Sequence, residues 1–107
     1  MKLTNDGQIQ TVIITYDVSL GTFDELLGIL NGAYTAFITQ QQGFVGAAIH
    51  VNDAKTRIAS YSQWETREDF MGVLRSEHMQ QVNKQLADLS KGFEPVLYEV
   101  NEMYSKP

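Results

Sequence analysis

Few side chains in this sequence pair a reactive group with a setting that could use it. His50 lies near the end of the apolar segment Phe44–Val51 (FVGAAIHV) and, in a regular strand, shares a face with Phe44, Gly46 and Ala48. An imidazole titrates near neutrality and suits proton abstraction, and small neighbours would leave room beside it for a ligand. The same residue, half-buried and bonded to an adjoining strand, would be purely structural. Trp64, the only tryptophan, ends an expected strand within the run Tyr61-Ser62-Gln63-Trp64-Glu65. Its indole can stack on an aromatic ligand and donate one hydrogen bond, or it can plug a core beneath the following helix. Ser60 and Ser62 sit in a strand without the sharp turn that exposes a serine nucleophile. Tyr34, Phe37 and Phe70 occupy apolar helical positions and read as core before they read as site. His78 follows Glu77 directly, so the two point in different directions on a helix and form no metal face.

Several chemistries are excluded or disfavoured by what is missing. No glycine-rich phosphate loop is present, because Gly43-Phe44-Val45-Gly46 lacks both the spacing and the lysine. Neither histidine has a second ligand one helical turn away. The absence of cysteine removes disulfides, thiolate catalysis and thiolate metal sites, and suits a reducing cytoplasm, which is the expected location. A net charge of −5 without a Lys/Arg cluster argues against nucleic acid or an anionic membrane as partner. No apolar run approaches the roughly 20 residues of a membrane span. Residues 1–8 are polar, lack the apolar segment of a signal peptide, and read as a flexible N-terminal arm.

The elements that must position these groups follow from periodicity. Ile9–Val18 (IQTVIITYDV), rich in β-branched residues, reads as a strand with Val12, Ile14, Tyr16 and Val18 on one face. Thr22 with Glu25 forms a capping-box pattern opening a helix. Phe23, Leu26, Leu27, Leu30, Tyr34, Phe37 and Ile38 give that helix an apolar stripe running to about Gln42, where Gly43 is a natural left-handed terminator. Phe44–Val51 and Arg57–Trp64 read as strands joined by a polar turn at Asn52-Asp53. Thr66 with Asp69 starts a second helix, Ser76 caps its continuation, and Gly92 ends it. Pro95–Tyr104 supplies the last strand.

The order β-α-β-β-α-β is that of a ferredoxin-like α+β domain, a four-stranded antiparallel sheet with helices on one face, spanning residues 9–104. The strands carry apolar residues on both faces: Val12 beside Ile13, Phe44 beside Val45, Leu97 beside Tyr98. A sheet apolar on both sides needs a second covering layer, and two-fold pairing with another copy supplies it. A homodimer is the expectation.

Gly43-Phe44-Val45-Gly46-Ala47-Ala48-Ile49-His50, the strand Arg57-Ile58-Ala59-Ser60-Tyr61-Ser62-Gln63-Trp64-Glu65 and the Arg67-Glu68-Asp69-Phe70 helix start together resemble the antibiotic biosynthesis monooxygenase (ABM) family. The similarity runs from about Ile9 to Tyr104, with Gln42 where the family often has proline. It implies a dimeric α+β barrel with a pocket in each subunit between sheet and helices. Enzymes of the family oxidise anthrone-type aromatic substrates with O2 and no metal, flavin or other cofactor. The resemblance thus implies a small aromatic molecule and O2 as partners, Trp64 and His50 as catalytic residues, and Ser60, Phe70, Tyr34 and Phe37 as pocket wall. The chain departs from the quinone-forming members twice: Ser60 stands where they usually have asparagine, and Phe70 where they have tyrosine. Serine is a shorter hydrogen-bonding group, and phenylalanine donates none.

Two functions are therefore expected from the sequence. One is a cofactor-independent monooxygenase acting on an anthrone- or quinol-like molecule. The other is a non-catalytic small-molecule binder on the same scaffold, favoured by the loss of polar groups at Ser60 and Phe70. A further branch of the family degrades haem with a strand asparagine, a tryptophan and a helical histidine. Trp64 and His78 resemble the last two, but the first strand has no asparagine.

Overall fold

The computed structural model describes residues 9–107, so the expected arm over residues 1–8 lies outside the described residues. The elements are β1 (Gln10–Asp17), α1 (Phe23–Ala36), a 3-10 turn η1 (Ile38–Gln40), β2 (Phe44–Val51), β3 (Arg57–Trp64), α2 (Arg67–Arg75), α3 (Glu77–Leu89) and β4 (Gly92–Tyr98). The strands form one antiparallel sheet in the order β2-β3-β1-β4, the ferredoxin-like arrangement. Among the described residues no helix is long and apolar enough to cross a membrane.

Alternation in β1 and β3 decides which face the helices cover. Val12 pairs with Ser62, Ile14 with Ser60 and Tyr16 with Ile58, placing these side chains on the helical face. Val12, Tyr16, Ile58 and Trp64 are buried there against Leu26, Leu30, Phe70 and Leu86 from the helices. Each large apolar side chain fully removed from water contributes about 1.5–3 kcal/mol. This face therefore fixes the helices on the sheet. Ile13, Ala59, Tyr61 and Val96 point to the other face and remain partly exposed.

The helix ends show where local signals yield to packing. Thr22 precedes α1 but makes no capping bond; its φ of −117° and ψ of −1° lack the extended backbone a cap needs. Its hydroxyl instead lies 3.2 Å from that of Ser19. Helix α1 stops at Ala36 rather than Gln42, because Phe37 leaves the helical region at φ −135°. The Gln41 amide donates to the freed Phe37 carbonyl at 3.1 Å, and η1 keeps Ile38 in the core. By contrast, Thr66 and Ser76 cap α2 and α3 as expected, accepting from the backbone N–H of Asp69 and Met79.

The last strand is shifted from its expected range. Ser90 caps α3, Lys91 N–H donates to the Asp17 carbonyl at 2.7 Å, and Gly92 opens β4 instead of ending the helix. Tyr98 pairs with Thr11, one residue from the start of β1, so residues 99–104 have no length of β1 left to pair with. Pro95 is tolerated because β4 is an edge strand, where a missing N–H need break no ladder.

Candidate active site

Between the helical face of the sheet and the helices lies a small cavity, with a volume of about 40 Å³. Strands β1 and β3 form its floor through Ile14, Tyr16, Ser60, Ser62 and Trp64. Helix α1 contributes Tyr34, α2 contributes Phe70, and α3 contributes Met79 and Asn83. The period-two alternation of β3 is what delivers two hydroxyls and an indole to one wall.

Trp64 is 2% exposed, and its Nε1–H donates to the Ser62 hydroxyl at 3.1 Å. Phe44 meets the indole edge-on at 5.4 Å between centroids, and Phe70 leans on it at 5.8 Å. The Tyr34 and Ser60 hydroxyls lie 2.6 Å apart, and either can donate. Burial pushes the Tyr34 phenol above its ordinary value, while its hydrogen bonds to Ser60 and Ser62 offset part of that rise. Tyr34 is therefore a neutral phenol at physiological pH. Burial raises the Tyr16 phenol still more clearly, with proximity to Tyr34 a smaller contribution. Among the described residues, no carboxylate, histidine, lysine or arginine lines the cavity. It can offer neutral hydrogen bonds in a largely apolar space, but its walls hold no side chain suited to take a proton at neutral pH.

Four of the expected site residues, Trp64, Ser60, Phe70 and Tyr34, are thus brought together. Two are not. His50 shares no face with Trp64, and its expected phase with Phe44 is corrected by a β-bulge. Phe44 pairs with Trp64, but Gly46 pairs with Gln63, leaving Val45 as an extra residue. Beyond the bulge Ile49 sits opposite Ser60, and His50 opposite Ala59 on the other face of the sheet. His50 is exposed there, beside Val51 and Arg57. Phe37 packs at the edge of the core and stacks on His78 at 4.2 Å, outside the cavity wall. The same stack places His78 away from Trp64's cavity.

Ser62, in phase with Ser60 and Trp64 on β3, was not expected in the site, and neither was Asn83. Asn83 lies four residues after Met79 and three before Leu86, inside the apolar stripe of α3. A polar residue at a core-facing helical position is the signal that could have revealed it.

The fold and cavity define a small α+β domain built to enclose an uncharged aromatic pocket. The chain belongs to the antibiotic biosynthesis monooxygenase family, whose model matches residues 9–85. Membership supports a monooxygenase-type activity in general. Its fold is similar to the monooxygenase from the ActVA-Orf6 gene of Streptomyces coelicolor, solved with nanaomycin D, at 19% identity and a TM-score of 0.82, covering 96% of this chain and 97% of that one. SnoaB of Streptomyces nogalater, a cofactor-independent oxygenase solved as a mutant, is 19% identical with a TM-score of 0.80 over 92% of this chain and 99% of that one. Rv0793 of Mycobacterium tuberculosis is 12% identical with a TM-score of 0.79, covering 91% and 99%. At these identities the likeness establishes the fold. No curated protein is significantly similar in sequence.

Proposed function

We propose that the protein is a cofactor-independent monooxygenase that oxidises a small anthrone- or quinol-like aromatic with O2 in the cavity beneath Trp64. The observation that carries this reading is an uncharged, aromatic-walled cavity whose polar groups are all neutral hydrogen-bonding groups. With an anthrone the balance is complete. The ring methylene becomes a carbonyl, one oxygen atom of O2 enters the product, and the other leaves as water with the two methylene hydrogens.

The missing side-chain base shapes the mechanism. The substrate enters as its enolate or phenolate, formed in solution, and the cavity receives an anion. Trp64 Nε1–H, the Ser60 and Ser62 hydroxyls, the Tyr34 phenol and the Asn83 amide are the donors available to an oxyanion or to a peroxide formed from it. Replacing water by these few donors leaves the ring electron-rich and able to reduce O2. The Tyr34 hydroxyl offsets the loss of a donor at Phe70, which favours catalysis over the purely binding role. Oxygen uptake with anthrone and quinol substrates tests the reading. Wild type is expected to consume O2 above the uncatalysed rate, and Trp64→Phe to lose most of that excess. Binding of these compounds without O2 uptake would favour the non-catalytic binder.

The reading includes a homodimer in the cytoplasm. Ile13, Tyr61 and Val96 leave the helix-free face partly apolar, and Gln63, 0% exposed on that face, has a side-chain carbonyl with no donor among the described residues. A second copy would cover the partly apolar face. Light scattering at micromolar concentration should give twice the chain mass; a monomeric mass would count against the pairing.

A further inference from the structure

The cavity is too small for the ligand proposed for it. Its volume of about 40 Å³ holds on the order of a few water molecules, whereas pockets for drug-sized ligands run to roughly 300–1,000 Å³. Immediately outside lies an open groove of about 480 Å³ between α1 and the edge strand β2. Asn31, Tyr34 and Thr39 form one side of it, and Phe44, Ala47 and Ile49 the other.

The two spaces are separated by a wall about one side chain thick, and three observations place it. Tyr34 lines both. Ile49 of the groove is paired in register with Ser60 of the cavity. Phe44 of the groove meets Trp64 of the cavity edge-on at 5.4 Å. The Tyr34 ring also tilts against Phe44 at 6.4 Å, and its hydroxyl is tied to Ser60 at 2.6 Å.

We propose that this groove is the outer half of the ligand site and that Tyr34 is the side chain that separates or joins the two halves. The inference rests on the reading of the cavity as an aromatic site and adds the shape of its ligand. A fused system of two or three rings places a carbonyl or phenolic oxygen at Ser60, Ser62 and Trp64. Its remaining rings lie along Phe44, Ala47 and Ile49, with polar substituents toward Asn31 and Thr39. To admit it, the Tyr34 ring shifts within the wall and gives up its bond to Ser60, and both hydroxyls then donate to the ligand oxygen. A single-ring compound reaches less far along the groove than a fused one.

Trp64, as the only tryptophan, reports binding directly through its fluorescence. The probes are 4-hydroxyacetophenone, 1,4-naphthoquinone and anthraquinone-2-sulfonate, titrated into the whole chain. Thr39→Phe and Ala47→Phe each narrow the groove from opposite sides without altering a cavity residue. Both are expected to weaken the three-ring probe by about tenfold or more and the single-ring probe clearly less. Unchanged three-ring affinity in both folded variants would overturn the groove proposal and leave the cavity reading intact. Three-ring binding that is groove-dependent but accompanied by no oxidation of anthrone would uphold the groove and overturn the monooxygenase reading. Failure of every probe to quench Trp64 in wild type would overturn both.

Discussion

The hydroxyls of Tyr34 and Ser60 lie 2.6 Å apart, joining the last turn of α1 to the centre of β3 across the cavity. Neither residue is charged, and they are 26 positions apart in sequence. The bond fixes the width of the cavity at the point where Tyr34 also faces the groove. Tyr34→Phe and Ser60→Ala should each lower stability by about 1 kcal/mol. In urea unfolding the double variant should lose less than the sum, with a coupling of about 1 kcal/mol. Strict additivity would show that the two hydroxyls do not support each other.

Alkaline pH should weaken the fold through two buried phenols. Tyr16 and Tyr34 both have values raised above that of a free tyrosine, with burial the leading cause. The folded state thus holds these protons more tightly than the unfolded chain. Stability from this source is intact below about pH 10 and is lost as pH climbs toward the folded-state values. Each tyrosine contributes a slope of about 1.4 kcal/mol per pH unit in that window. Unfolding free energies at pH 9, 10 and 11 should fall more gently in Tyr16→Phe than in wild type. Equal slopes would contradict the assignment.

Gly43 holds the turn that aims Phe44 at Trp64. Its φ is +83°, and a Cβ there would collide with the Asp69 side chain. Its carbonyl also accepts from Glu65 N–H at 2.7 Å, pinning β2 to the end of β3. Gly43→Ala should cost about 1–3 kcal/mol. Adding Asp69→Ala should recover only the steric part, since the left-handed backbone remains. Full recovery would show that backbone strain contributes nothing.

Ser62 gives the buried Trp64 indole its acceptor. Ser62→Ala leaves that N–H without its partner, at a cost of about 1–3 kcal/mol in thermal or chemical unfolding. The emission of Trp64 should shift to the blue as it loses its polar neighbour. An unchanged spectrum would indicate that the indole finds another acceptor.

Much of this architecture is legible in the sequence because it rests on repeating patterns. The alternation Ile58, Ser60, Ser62, Trp64 assigns those side chains to one face, and the stripe through Leu26, Leu30 and Tyr34 places α1 on it. Thr66 and Ser76 announce α2 and α3 through caps that the structure makes. What escaped depends on single-residue irregularities set by tertiary contacts. One inserted residue, Val45, reverses the phase of β2 and carries His50 to the far face, and the adjacent Gly46 is the one local hint of it. The extent of β4 follows from the reach of β1, not from its own β-propensity. Tyr34 and Ser60 were both expected in the pocket wall, but nothing in the apolar stripe announces the hydrogen bond between them.

The central claim is that chemistry belongs to the helical face beneath Trp64 and not to the histidine face. Oxygen uptake with anthrone, measured side by side for wild type, Trp64→Phe and His50→Ala, tests it most directly. The expected result is one O2 consumed per anthraquinone formed, a loss of about 10²-fold in Trp64→Phe, and a wild-type rate in His50→Ala. Activity that survives Trp64→Phe but disappears in His50→Ala would contradict it.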